Sequence, residues 1–168
     1  MTTPLHPLAT RVIESPVGNL YITGDKYHLY ACSFIKPVTL VPDENSPVLE
    51  TAAVQMNEYF GGIRKNFDLP LSMSASAFFM KVWMVLRQIE YGHTTTYKEI
   101  ADLLQLKNGA RAVGRAASEN PLLLIVPCHR VLGENGSLTG YAGGKEVKRF
   151  LLNFEREHST LKADNLLF

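Results

Sequence analysis

Between residues 10 and 35 apolar and polar positions alternate in the manner of paired strands. The alternation predicts strands over residues 10–14, 19–23 and 28–34, with turns at Ser15-Pro16-Val17-Gly18 and Gly24-Asp25. Residues 37–47, with prolines at 37, 42 and 47, read as a loop. The period then changes. Val48, Ala52, Met56 and Tyr59 recur at helical spacing with Ala53 and Phe60 beside them, until Gly61-Gly62 ends the run. Residues 66–71 predict a return to a short strand. This half is a small α/β unit without an evident catalytic cluster.

Residues 72–76 are small and polar, a linker composition. Beyond them Phe78, Val82, Val85, Leu86 and Ile89 make one apolar helix face, closed by Tyr91-Gly92, with Trp83 packed within or beside it. Thr95 or Thr96 can cap a helix through Tyr97, Ile100, Ala101 and Leu104. Lys107-Asn108-Gly109 reads as a turn and residues 110–118 as a second short helix. Two helices joined this way are a candidate helix-turn-helix, whose second member would meet DNA. That member is nearly all small: Ala110, Ala112, Gly114, Ala116 and Ala117. Such residues suit either close approach to a narrow surface, such as a minor groove, or tight packing in a core. The apolar run 122–126 predicts a short buried strand. We divide the chain at the linker, into 1–74 and 75–168.

Composition narrows the class. Of the 168 residues 46% are hydrophobic and 20% charged, which excludes a disordered chain. No apolar run approaches membrane-spanning length. Residues 1–8 carry neither a basic flank nor an apolar signal core. Two cysteines, Cys32 and Cys128, cannot form a disulfide framework and suit a reducing compartment. The expectation is a soluble cytoplasmic protein. Residues 1–74 hold 5 Lys+Arg against 7 Asp+Glu, and residues 75–168 hold 12 against 9. The second part is mildly basic, which permits a phosphate footprint without requiring one.

The densest chemistry is Ile125-Val126-Pro127-Cys128-His129-Arg130. A free thiol is only about a few per cent thiolate at pH 7, so a nucleophilic cysteine needs a base beside it. His129 is adjacent, and Pro127 stiffens the approach because its φ is locked. A small buried cysteine beside a surface histidine is the other reading, and these residues alone leave both open.

The ordered motifs Tyr97-Lys98-Glu99-Ile100-Ala101, Ala110-Arg111-Ala112-Val113-Gly114, Asn120-Pro121, Pro127-Cys128-His129-Arg130-Val131 and Gly140-Tyr141-Ala142-Gly143-Gly144 widen the match. With Leu151-Leu152 and Glu155 after them, the chain resembles the O6-alkylguanine-DNA alkyltransferases. The resemblance implies an α+β fold: a small N-terminal α/β domain of ribonuclease H type, then a mostly helical winged helix-turn-helix domain carrying the site. It implies transfer of an alkyl group from guanine O6, and less well from thymine O4, in double-stranded DNA to Cys128, once per molecule.

In that scheme His129 acts as base through a water, since side chains adjacent on an extended segment point apart. Glu155 orients the imidazole. Tyr97 gives a proton toward guanine N3. Arg111 fills the stack left by the flipped base, and Ala112, Gly114 and Ala117 let the helix approach the duplex. Asn120 bridges to the loop of Pro127 and Arg130. The carbonyls of Cys128 and Val131 receive the guanine amine, and Tyr141 and Ala142 wall the pocket. Ala142 stands where some relatives carry serine, and Ser76-Ala77-Phe78-Phe79 where relatives often show Thr-Pro-Phe-Gln.

No cofactor is implied. His28 and Cys32 lack a second pair of zinc ligands, so no metal is assigned. The expected partner is duplex DNA, met by a monomer. Two alternatives remain, a damage-recognition module without chemistry and a cysteine hydrolase with turnover. The first is disfavoured by the cysteine, the second by the lack of an oxyanion-hole motif.

Overall fold

The structure, a computed structural model, describes residues 8–43 and 45–159. The segment 1–7 read above for a targeting signal, Glu44 of the proline loop and residues 160–168 lie outside the described residues. The chain forms two units. One holds Met1–Ala75 together with Pro121–Ile125, and the other holds Ser76–Asn120 and Val126–Phe168. The units part after Ala75, one residue beyond the expected 1–74, and Pro121–Ile125 returns to the first unit.

In the first unit β1 (Ala9–Ser15), β2 (Gly18–Gly24) and β3 (Leu29–Ser33) form an antiparallel sheet in chain order. Strict alternation holds only in β2, where Leu20 and Ile22 turn into the core; β1 buries Thr10 and Ile13, and β3 buries Leu29 and Cys32, each pair three residues apart. The Asp25 carboxylate closes the second turn by accepting the Tyr27 and His28 N–H groups, both at 2.7 Å. Helix α1 (Pro47–Phe60) starts where Ser46 Oγ accepts the Leu49 N–H. It buries Leu49, Ala52, Met56 and Tyr59 against β1 and β2.

The segment 66–71 is not the strand its pattern predicts. Gln55 takes both the N–H and the C=O of Asp68 with its side-chain amide, at 2.9 and 2.8 Å. Only Leu71 then bridges to Leu29. A side chain has satisfied the backbone groups that a sheet partner would have used.

The second unit contains α2 (Ala77–Leu86), β4 (Thr95–Thr96), α3 (Tyr97–Leu103), α4 (Ala110–Ser118), β5 (Val131–Leu132) and α5 (Lys145–His158). Strands β4 and β5 pair in parallel. Helix α3 opens with a reciprocal cap: Thr96 Oγ1 accepts the Glu99 N–H at 3.1 Å, and Glu99 Oε2 accepts the Thr96 N–H at 2.7 Å. The turn to α4 carries Gln105 and Asn108 at positive φ. It closes on Gly109, where any Cβ would overlap the Leu106 side chain. Trp83 ties α2 to α4 through its indole N–H on the Ala116 carbonyl, at 2.7 Å.

The 122–126 run is buried, but it is not a strand. Leu122 makes one bridge to Cys32 of β3 and the chain then turns, with Leu124 at φ 71°. That conformation costs a residue with a Cβ roughly 1–2 kcal/mol. Burying each leucine here contributes about 1.5–3 kcal/mol, so burial wins.

Candidate active site

Cys128 opens a single 3-10 turn, Cys128–Arg130, with Pro127 as its N-cap at φ −79°. The segment is therefore not extended, as the sequence reading assumed. Successive side chains in a 3-10 turn splay about a third of a turn apart, so the thiol and imidazole still diverge. Cys128 is 4% exposed. Asn120, two residues past the end of α4, donates from Nδ2 to Cys128 Sγ at 3.2 Å and to the Val126 carbonyl at 2.8 Å. One amide thus holds both the sulfur and the peptide entering the turn. Burial pushes the thiol up to about 11, against the smaller pull of Asn120 and Lys148. At neutral pH the sulfur keeps its proton until a base takes it.

His129 is fully buried in the same turn. Its Nε2 lies 2.8 Å from Glu155 Oε1. A carboxylate only accepts, so Nε2 carries the proton and Nδ1 of the neutral ring keeps a lone pair. Nδ1 has no partner among the described residues. Burial lowers the imidazole pKa and outweighs the attraction of Glu155, which favours the neutral ring.

Glu155, on α5, would be raised by burial alone. His129 and Arg130 outweigh that and hold it well below the usual carboxylate range. Arg130 reaches it with Nε at 2.8 Å and Nη2 at 2.9 Å, and spends Nη1 on the Ile89 carbonyl at 2.6 Å. The Gly92 N–H also donates to Glu155, at 3.2 Å. Gly92 sits at φ 78°, where a side chain would be strained and would strike Ser159. Arg130, read from sequence as pocket structure, thus shares the Glu155 carboxylate with His129.

A cavity of about 550 Å³ opens between α3, α4 and the loop after β5, lined by Tyr97, Arg111, Gly114, Thr139, Tyr141 and Ala142 among others. A second concavity of about 600 Å³, walled by Val85, Ile89, His93, Glu99, Ile100 and Leu103, includes none of the predicted residues. Arg111 and Ala112 stand exposed in the first turn of α4, and Gly114 is half-buried against the Tyr97 ring. Ala117 does not join them. It is buried with Val113 and Ala116 on the inner side of the helix, a packing residue and not a contact surface. The Tyr141 ring meets the His129 ring edge-on at 6.3 Å. The two carbonyls assigned to the guanine amine already have donors: Cys128 O receives the Val131 N–H, and Val131 O receives Lys148 Nζ at 2.6 Å. Each retains its second lone pair.

Lys148 escaped the sequence reading. It is fully enclosed on α5, its amine 5.8 Å from the centre of the Tyr97 ring. Burial brings its pKa down to about 8, partly offset by the sulfur of Cys128. The signal was available: Lys148 shares one helix face with Leu151, Leu152 and Glu155, so a lysine interrupts an apolar stripe.

Comparison with known proteins gives a consistent picture. Residues 77–157 match the family described as 6-O-methylguanine DNA methyltransferase, DNA binding domain, and residues 8–73 match its ribonuclease-like domain. A methylated-DNA--protein-cysteine methyltransferase of Methanosarcina acetivorans is 43% identical over 149 residues, covering 86% of this chain and 96% of that protein. The constitutive methylated-DNA--protein-cysteine methyltransferase of Bacillus subtilis is 41% identical over 155 residues, 92% of each. The crystal structure of Mycobacterium tuberculosis O6-methylguanine methyltransferase superimposes with a TM-score of 0.84 at 37% identity, over 93% of this chain and 97% of that one. The Mycobacterium tuberculosis OGT in complex with DNA gives 0.83 at 39% identity, over 90% and 94%.

Proposed function

This chain belongs to the 6-O-methylguanine DNA methyltransferase family, and from that premise we propose how its residues carry out direct-reversal repair of alkylated DNA. The observation that carries the reading is the buried thiol of Cys128 in one 3-10 turn with a neutral His129 backed by Glu155. The substrate is O6-alkylguanine in duplex DNA, and secondarily O4-alkylthymine. The protein acts as a monomer.

His129 Nδ1 takes the thiol proton through one water, and Glu155 stabilises the imidazolium that results. The thiolate attacks the alkyl carbon in line, a C–S bond forms and the C–O6 bond breaks. The electron pair of the broken bond stays on the purine, which takes a proton at N3 from the Tyr97 hydroxyl. Lys148 favours the thiolate electrostatically before attack. Ala142 offers O6 no side-chain hydroxyl, so from that position donation falls to the backbone N–H. A thioether is not readily reversed, so one molecule repairs one lesion.

The nucleotide must leave the duplex to reach a thiol that is 4% exposed. Arg111, exposed in the first turn of α4 beside the cavity, fills the vacated stack, and exposed Ala112 and half-buried Gly114 admit the duplex closely. The direct test is the intact mass of the protein after incubation with a duplex containing O6-methylguanine. The expected product is one added methyl per protein, located on Cys128, with none in Cys128→Ala despite retained duplex binding. Repeated ester or peptide turnover with no mass gain would replace this reading with hydrolysis. Arg111→Ala should slow transfer from duplex by about tenfold or more while leaving reaction with a free O6-alkylguanine base near wild type. Equal effects on both would remove its flipping role.

A further inference from the structure

One bond at the cavity belongs to neither the thiol nor its base. Thr139 Oγ1 donates to the Tyr97 hydroxyl oxygen at 3.2 Å, joining residues 42 apart in sequence. Both side chains line the 550 Å³ cavity. We propose that Thr139 is a positioning residue for transfer: by donating to the Tyr97 oxygen it leaves the phenol one proton to give, directed into the cavity. The inference rests on the reading of Cys128 as alkyl acceptor and Tyr97 as proton donor to the departing purine.

A tyrosine hydroxyl has one proton and can also accept. Without a fixed donor its O–H rotates and can spend that proton on whichever acceptor is nearest. Among the described residues no acceptor for the Tyr97 proton competes, whereas its oxygen is engaged by Thr139. The Tyr97 ring lies beside Gly114, with the Lys148 amine 5.8 Å from its centre.

Thr139 is likewise held. Its loop is folded by Gly133 N–H on the Ser137 carbonyl at 2.9 Å and by its own N–H on the same carbonyl at 3.0 Å. Farther along the loop Glu134 pairs with Lys98 of α3 at 2.7 Å, beside Tyr97 in sequence. A bond accepted at the oxygen also polarises the O–H it leaves free, making it a better donor. The same bond opposes the upward push that burial gives the phenol.

The test is single-turnover methyl transfer from a duplex containing O6-methylguanine by wild type, Thr139→Val, Thr139→Ser, Tyr97→Phe and the Tyr97→Phe/Thr139→Val pair. Valine keeps the shape and removes the hydroxyl; serine keeps the hydroxyl. Thr139→Val should slow transfer by about three- to tenfold, the rate equivalent of one modest hydrogen bond, with duplex affinity unchanged within about twofold. Thr139→Ser should recover most of that loss. In the Tyr97→Phe background the valine should add no further slowing, because the group it acts through is gone.

A wild-type rate in Thr139→Val, an equal slowing in the Tyr97→Phe background, or loss of affinity in step with rate would each overturn the proposal. Failure of the wild type to take up a methyl is a different result. It would remove the reading of function and this inference with it, whereas an active wild type with a rate-neutral valine removes only Thr139.

Discussion

Glu155 is 1% exposed and receives the His129 ring, both arms of the Arg130 fork and the Gly92 N–H. Replacing it with glutamine leaves the Arg130 charge buried without its counter-charge, which costs about 3–5 kcal/mol when one partner of a buried pair is removed. Glu155→Gln should therefore unfold at markedly lower temperature and transfer methyl about 10–100-fold more slowly. The pH dependence has a definite sign. The folded carboxyl titrates below its unfolded value, so its ionisation stabilises fully above about pH 4–5 and that stability is lost as pH falls through the depressed folded pKa. His129 acts in the same direction from about pH 6.5 downward, because protonation must charge a buried neutral ring. Thermal unfolding followed from about pH 7 to pH 3 should show a steep acid loss in wild type and a shallower one in Glu155→Gln. Parallel curves would mean that this network does not set acid stability. At this scale Cys128 and His129 were legible because a thiol-imidazole pair is chemically unusual. Lys148 was passed over, because a lysine reads as surface even where it interrupts an apolar helix face.

Helices α3 and α4 were legible almost to their ends. Thr96 and Glu99 cap the first from within its own sequence, and Lys107-Asn108-Gly109 breaks the chain before the second. Thr96→Ala should cost about 1 kcal/mol, a fall in Tm of about 2–4 °C for a chain this size, measurable by calorimetry. No change would mean that Glu99 alone satisfies that end. The segments 66–71 and 122–126 were misread because neither the alternating pattern of the first nor the unbroken apolar run of the second names the backbone's hydrogen-bond partner. In one segment the partner was the Gln55 side chain; in the other it was one residue of β3 followed by a left-handed Leu124.

At the scale of the molecule the return segment matters most. Pro121–Ile125 follows α4 in sequence but belongs with the sheet unit, where Cys32 N–H meets the Pro121 carbonyl and Leu123 N–H meets the Cys32 carbonyl, both at 2.8 Å. A fragment of residues 76–168 would carry Leu122, Leu123 and Leu124 without β3. It should show lower solubility and a broader unfolding transition than the full chain. A fragment as stable as the whole would show that β3 is dispensable to the site. No helix among the described residues is long and apolar enough to cross a membrane. The mild positive balance of residues 75–168 fits a duplex partner, though motif and not charge identified it.

Sequence by itself determined the alternating sheet, the capped helices and the Cys128–His129 pair, because local periodicity, caps and functional-group chemistry are written in neighbouring residues. Only tertiary structure decided what those groups do together. It brought Asn120 to the sulfur, folded Arg130 and Gly92 onto Glu155, buried Ala117 and Lys148, and set Thr139 against Tyr97. The physical reason is that protonation states and hydrogen-bond partners depend on what is excluded from water and what lies within about 3 Å. Neither quantity exists until distant segments have packed.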